Sequence, residues 1–131
     1  TNPLIDFPTL IHPSVLIGDK NSITIGEGCI ICAGCILTTD IIIDNFVTLN
    51  LMCTVGHDTT INSYSSFMPS VNISGEVKIN EGVYVGTGAK IINQLEIGEQ
   101  TIVGAGAVVA KELPAKCTAV GVPAKIIKYH E

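Results

Sequence analysis

The stretch IGEGCIICAGCILTTDIIIDNFVTLNLMCTVGHDTT, residues 25–60, counts in sixes. Ile25, Ile31, Leu37, Ile43, Leu49 and Val55 open successive blocks of six. The same step runs on unbroken through Ile61, Phe67, Ile73, Ile79, Val85, Ile91, Ile97 and Val103 to Val109, always apolar. Four residues after each comes a second column, from Cys29 through Cys35, Cys53, Thr59 and Ser65 to Leu113, small or apolar throughout. An α-helix repeats every 3.6 residues and a strand every two, so neither makes a period of six. A parallel β-helix does. Each hexad is then a short strand and a corner, three hexads close a triangular coil, and coils stack about 4.8 Å apart. The two columns fill the prism, where full burial of an Ile or Leu contributes about 1.5–3 kcal/mol. The residue after each opening one is often Gly, Asn or Asp, which predicts that the corner takes an unusual backbone there.

Backwards, Ile5, Ile11 and Ile17 keep the step, and an eight-residue step to Ile25 predicts a two-residue corner insertion within 21–24. Forwards, the pattern stops at Pro114. The reading is therefore an all-β chain, with a β-helix domain over 1–114 and a tail over 115–131 that leaves the prism.

A length of 131 residues predicts one domain. A net charge of −5 with only seven basic residues argues against nucleic acid or an anionic membrane as partner. No uncharged apolar run approaches the ~18 residues of a spanning helix, and no basic-then-apolar leader opens the chain. Five cysteines, an odd number without a leader, predict a reduced, cytoplasmic protein. Cys29, Cys35 and Cys53 fall in the inward column and Cys32 outside it, so they are read as small core residues and no metal is expected.

His57 is the third residue of its hexad, an outward place, and the residue one coil above it is Gly75. A missing side chain beside an imidazole predicts space for a thioester and a bare N–H for a developing oxyanion. Base, cleft and donor are what acyl transfer needs. An ordinary imidazole, with a pKa near 6.5, is largely neutral at pH 7 and can serve as the base. Asp58 shares a column with Asp40 and Glu76. Each such repulsion costs about 1 kcal/mol in water and far more inside, so the column is expected on the surface. There Asp58 either orients the ring or is a solvated corner carboxylate.

Several segments together resemble a known family: Asn50, Gly56-His57-Asp58, Ile73-Ser74-Gly75, Gly86-Thr87-Gly88-Ala89, Val103-Gly104-Ala105-Gly106 and Val120-Gly121-Val122-Pro123-Ala124-Lys125. The pattern resembles the left-handed β-helix, or hexapeptide-repeat, acyltransferases. Within them it is similar to the sialic-acid O-acetyltransferases and the N-acetyltransferases of UDP-4-amino sugars. The left hand comes from this resemblance and not from the period. The resemblance implies transfer of an acetyl group from acetyl-CoA to an amine or hydroxyl of a sugar or nucleotide sugar, in a homotrimer whose sites lie between prisms. His57 would be the base, Asp58 its orienting partner and Gly75 a donor beside the acyl group. Asn50 would contact His57 or the acceptor, or serve only as a corner residue. Ser66 stands where some relatives carry a second histidine, which leaves the acceptor open. Thr87, Gly104 and Ala105 would line the pantetheine arm, and Pro123 and Lys125 the adenine end, with the tail closing the coenzyme site. The Asn2-Pro3-Leu4-Ile5 start and the Ile11-His12-Pro13-Ser14 stretch resemble the entry into such a helix after a nucleotide-sugar-binding domain. A zinc enzyme of the γ-carbonic-anhydrase type needs three histidines, and only His57 lies within the regular coils. An inactive or structural module, and an acetyltransferase for a non-sugar acceptor, remain as alternatives.

Overall fold

The computed structural model of the chain describes residues 4–131, so Asn2 and Pro3 of the Asn2–Ile5 start lie outside the described residues. It is a parallel β-helix with three faces. One coil shows the plan. Thr48–Leu49 lies in the first face, Thr54–Val55 in the second and Thr60–Ile61 in the third. Ser66–Phe67 then returns to the first face beside Thr48–Leu49, so Ser66 neighbours Thr48 at a step of 18 residues. That step holds on all three faces, as in Asn72 beside Thr54 and Lys78 beside Thr60. Strands inside each stack are therefore paired with a coil on either side, as buried backbone must be.

Both inward columns are buried from Cys29 to Val109, except for half-buried Leu95. The prism opens at its first coil, where Ile5 and Ile11 are 53% and 41% exposed. The small inward column also does polar work. Cys29 Sγ donates to the carbonyl of Asp44, Cys35 to that of Asn50 and Cys53 to that of Met68, at 3.0–3.2 Å. Thr59 and Ser65 repeat the bond to the carbonyls of Ser74 and Asn80, at 3.2 and 2.9 Å. In each case the acceptor is a corner carbonyl 15 residues on, turned toward the dry interior. An unpaired carbonyl there would cost about 1–3 kcal/mol. The inward cysteines are thus core residues with a donor's task. The hydrogen bond with Cys35 and, after it, burial push the Cys53 thiol up, which keeps it protonated.

The corner differs from its expected form. Left-handed φ falls at every sixth residue from Gly28 to Gly106, three places after each opening residue and not one. Only five of these fourteen are glycine; the others include Phe46, Asp58, Tyr64 and Glu76 at φ 55–63°. Phe46 and Tyr64 are held by stacking on one another, with centroids 5.6 Å apart, and Phe7 meets Phe46 edge-on at 5.3 Å. Glycines just after the opening residue serve a second purpose, close approach. A Cβ on Gly56 would lie 2.6 Å from the N of Gly75, and one on Gly86 2.6 Å from the N of Ala105. The insertion is also displaced: a 3-10 turn at Lys20–Ser22, capped by Asp19, takes up the extra residues, and Ile23–Ile25 is already strand.

The end of the helix needs a correction as well. Cys117–Val120 does not leave the prism; it pairs in parallel with Ile102–Val103, and Cys117 and Ala119 are fully buried. Pro114 broke the count because the step there shortens to 16 residues, with Thr118 beside Ile102. The chain departs only after Gly121, whose φ of +99° starts a hairpin that lays Lys125–Tyr129 antiparallel against Cys117–Val120.

The corner assignment makes a stability prediction at Ser70, φ 62°. Ser70→Val forces a β-branched residue into the left-handed region and should lose about 1–2 kcal/mol. Ser70→Gly should match or exceed the native chain. Urea melts of the three proteins check it, and equal stability of the Val variant would contradict the assignment.

Candidate active site

His57 lies on the edge between the second and third faces, in the corner that joins Thr54–Val55 to Thr60–Ile61. Asp58 follows at φ 57°, and this left-handed turn swings its carboxylate back alongside the ring of its neighbour. Asp58 Oδ2 sits 2.8 Å from His57 Nδ1, with both side chains more than half exposed. An ionised carboxylate only accepts, so Nδ1 carries the proton and Nε2 keeps its lone pair. Nε2 points along the axis to Gly75, where a Cβ would lie only 2.5 Å away.

This geometry corrects one expectation. The space above His57 is not open. The imidazole itself occupies it, and Gly75 is buried beneath the ring. Glycine at 75 therefore seats the ring, and an acyl group would have to approach from the ring's outer side. The carbonyl of Gly75 accepts from Gln94, while its N–H meets no hydrogen-bond acceptor among the described residues. The carboxylates stack as expected: Asp40, Asp58 and Glu76 recur at the same left-handed corner place and all are exposed. The hydrogen bond to Asp58 raises the His57 pKa above its ordinary value; slight desolvation opposes it, and the charges of Asp58, Glu76 and Asp40 add to it.

The remaining candidates lie elsewhere. Asn50, Thr87, Gly104 and Ala105 all turn the edge between the first and second faces. Within one chain Asn50 is thus on a different edge from His57, and its Oδ1 accepts from the N–H of Leu51 at 2.8 Å. The N–H of Gly104 is used by Ala119 at 2.9 Å, and a Cβ on Gly104 would strike Val120. Its glycine is explained by packing. The amides of Thr87 and Ala105 are engaged with no acceptor among the described residues. Ser66 faces outward on the first face between Thr48 and Tyr84. Pro123 and Lys125 belong to the hairpin after Val120, and both are exposed. Two residues the sequence reading passed over touch the His57 corner. Gly56 is signalled by the close approach just described, and Thr59 by its polar side chain in an apolar column. No group of three or more His, Cys, Asp or Glu side chains that could hold a metal ion occurs among the described residues.

No family model matches the chain. Individual relatives do. Serine acetyltransferase of Buchnera aphidicola subsp. Schizaphis graminum is 36% identical over 122 residues, 93% of this chain and 41% of that protein. GDP-perosamine N-acetyltransferase of Escherichia coli O157:H7 is 36% identical over 83 residues, 63% of this chain and 37% of that protein. Among solved structures, PerB of Caulobacter crescentus, in complex with CoA and GDP-perosamine, superposes with a TM-score of 0.91 at 35% identity. That match covers 95% of this chain and 59% of PerB. The chain belongs to the hexapeptide-repeat β-helix acetyltransferase family. It spans less than half the length of these curated relatives, 41% and 37%.

The seat at Gly75 can be checked directly. Gly75→Ala should displace the imidazole and leave the core alone, because the atom struck is the end of a side chain and φ is ordinary. Thermal melting should move little, while the His57 ring resonances shift in NMR. A variant with native His57 resonances would show that the ring does not rest on Gly75.

Proposed function

We propose that this chain transfers the acetyl group of acetyl-CoA to the amine of a nucleotide-linked amino sugar, with His57 as general base. The single feature that supports it best is the aim of His57: Nδ1 is tied to Asp58, and Nε2 is free beside the unpaired N–H of Gly75. Nε2 takes the proton of the acceptor as its nitrogen attacks the thioester carbonyl. The N–H of Gly75 is the donor for the oxygen that becomes negative, and the thiolate of CoA leaves as the tetrahedral centre collapses. Both substrates meet at the ring, so no acyl-enzyme is needed. The CoA and GDP-perosamine held by PerB support this pairing of substrates. A second acceptor class has its own support, since the serine acetyltransferase match covers 93% of the chain.

The division of candidates between two edges supports a site built from more than one copy. We place it between prisms of a homotrimer, the His57 edge of one copy meeting the Asn50–Thr87–Ala105 edge of its neighbour. The exposed hairpin with Pro123 and Lys125 then closes the coenzyme end. A cytoplasmic setting fits, since acetyl-CoA is found there and five free thiols persist there.

Purified protein should acetylate GDP-perosamine in preference to L-serine, with thiol release from acetyl-CoA as the assay. His57→Ala should lower the rate about 10²–10⁴-fold while calorimetry shows acetyl-CoA binding little changed. Near-native turnover by this variant would remove His57 as the base.

The base works only when neutral. Because the neighbouring carboxylates raise its pKa, the acid limb of kcat/KM should lie above the ordinary imidazole value of about 6.5. Asp58→Asn removes the main cause of the shift, so the limb should move to lower pH while the plateau falls. A limb that stays in place would mean that Asp58 does not set it.

Sedimentation equilibrium at micromolar protein should give three times the chain mass of 13.8 kDa. A monomer that retains full activity would exclude a shared site.

A further inference from the structure

Thr59 is the one inward hydroxyl whose hydrogen bond ends at the candidate site. Its side chain is fully buried, in a column otherwise filled by Val, Ala, Cys, Ile, Leu, Ser and one further threonine, Thr101, whose hydroxyl donates to the carbonyl of Pro114 at the end of the prism. Its Oγ1 donates to the carbonyl of Ser74 at 3.2 Å. That carbonyl belongs to the same peptide unit as the N–H of Gly75. The outer side of this peptide is set by Gly56, whose missing Cβ would lie 2.6 Å from both the Ser74 carbonyl carbon and the Gly75 nitrogen. At the same place on this edge the coils on either side carry Thr38, Ser74 and Ile92; Gly18, in the first coil, makes a like approach to the carbonyl of Thr38, but it is followed by Asp19 and not by a histidine.

We infer that Thr59 is a positioning residue for acetyl transfer: from inside the prism it fixes and polarises the Ser74–Gly75 peptide that faces the imidazole. The inference rests on the reaction proposed above. A hydrogen bond accepted by an amide oxygen draws electron density from the nitrogen and strengthens the N–H as a donor. It also holds the peptide plane, and with it the direction of the N–H relative to Nε2. Misplacement of a reacting group by about 1 Å can cost 10²-fold in rate, so a small tilt matters. The corresponding bonds of Cys35, Cys53 and Ser65 end at peptides on other edges. They supply the same stability without touching the reaction, which makes Ser65 a matched control.

The test compares Thr59→Val, Thr59→Ser and Ser65→Ala with the native protein. Valine fills this column at Val47, Val71, Val77 and Val83, so Thr59→Val should fold. The first readout is the infrared carbonyl stretch of acetyl-CoA labelled with ¹³C at the thioester carbonyl, which needs no acceptor. The native protein should shift the band to lower frequency on binding; Thr59→Val should lose about half of that shift, and Thr59→Ser and Ser65→Ala should keep it. The second readout is turnover with GDP-perosamine. Thr59→Val should lower kcat about 10-fold, less than the 10²–10³ expected for deleting the donor itself, with KM for acetyl-CoA within about twofold. A native-like band and kcat in Thr59→Val, or an equal loss in Ser65→Ala, would overturn the inference while leaving the reaction intact. If Thr59→Val does not fold, loss of the band shift in Thr59→Ser would overturn it equally. Failure of the native protein to bind acetyl-CoA would instead overturn the reaction on which the inference rests.

Discussion

Everything in this fold depends on turning a sharp corner within four residues. Each corner spends one residue in the left-handed region, and that residue recurs without exception every sixth place from Gly28 to Gly106. For a non-glycine residue this conformation costs about 1–2 kcal/mol. The cost is met by what the corner makes possible. Side chains on either side of it point inward, the ladder continues to the next coil, and the N–H of the left-handed residue is bound by the coil below, as Asp58 is by Thr39 and Glu76 by His57. Because the corner recurs without slipping from residue 28 to 106, every side chain in that range has a neighbour above and below at a known offset. His57 inherits its place from this arithmetic.

The same corners create the one polar demand of the interior. A chain that bends so tightly turns some carbonyls inward, away from water. Five inward thiols and hydroxyls, at Cys29, Cys35, Cys53, Thr59 and Ser65, answer it with bonds of one pattern. Cysteine and serine are interchangeable here because each offers a short side chain and one donor hydrogen. The cluster of cysteines early in the chain is therefore a consequence of corner geometry. It also follows that a corner peptide can be adjusted from within the prism, independently of anything on the outer surface.

The prism was legible in the sequence because its signal is one of position: apolar residues at two fixed places in every six. That Gly75 is the neighbour of His57 was legible for the same reason, since the 18-residue step puts it above the histidine. What escaped was conformation. Glycines just after the opening residue looked like the strained corner, but Gly56, Gly86 and Gly98 are there because the next coil's backbone leaves no room for a Cβ. The strained place itself holds residues such as Phe46, Tyr64 and Gln100, whose identities do not advertise left-handed φ. The final strand escaped because the step shortens once, at Pro114, and a rigid count cannot follow it. That the imidazole fills its own gap was also hidden, since spacing shows which residues are neighbours and not which way a ring leans.

Charge gives the prism a direction along its axis. Residues 1–76 carry one lysine against seven acids, a balance of −6, and residues 77–131 carry six lysines against five acids, a balance of +1; together these make the net −5. The acidic half ends at the coils of His57 and Gly75. Beyond it lie Lys90, which reaches the carbonyl of Ser70 and the side chain of Asn72, and then Lys111, Lys116, Lys125 and Lys128. With a coil rise of about 4.8 Å, Lys111, three coils above His57 on the same edge, stands roughly 14 Å along the axis. That exceeds the screening length of about 8 Å at physiological salt, so the two ends act as separate electrostatic environments. Under the proposed reaction, this favours one orientation of a ligand with a neutral acyl end and an anionic far end, acyl group at His57 and phosphates toward the hairpin. The reverse orientation would set its phosphates against Asp40, Asp58 and Glu76. Under the proposed reaction, the carboxylates that raise the pKa of the base also repel the wrong end of the donor, so one column of acids contributes both to proton transfer and to the direction of binding.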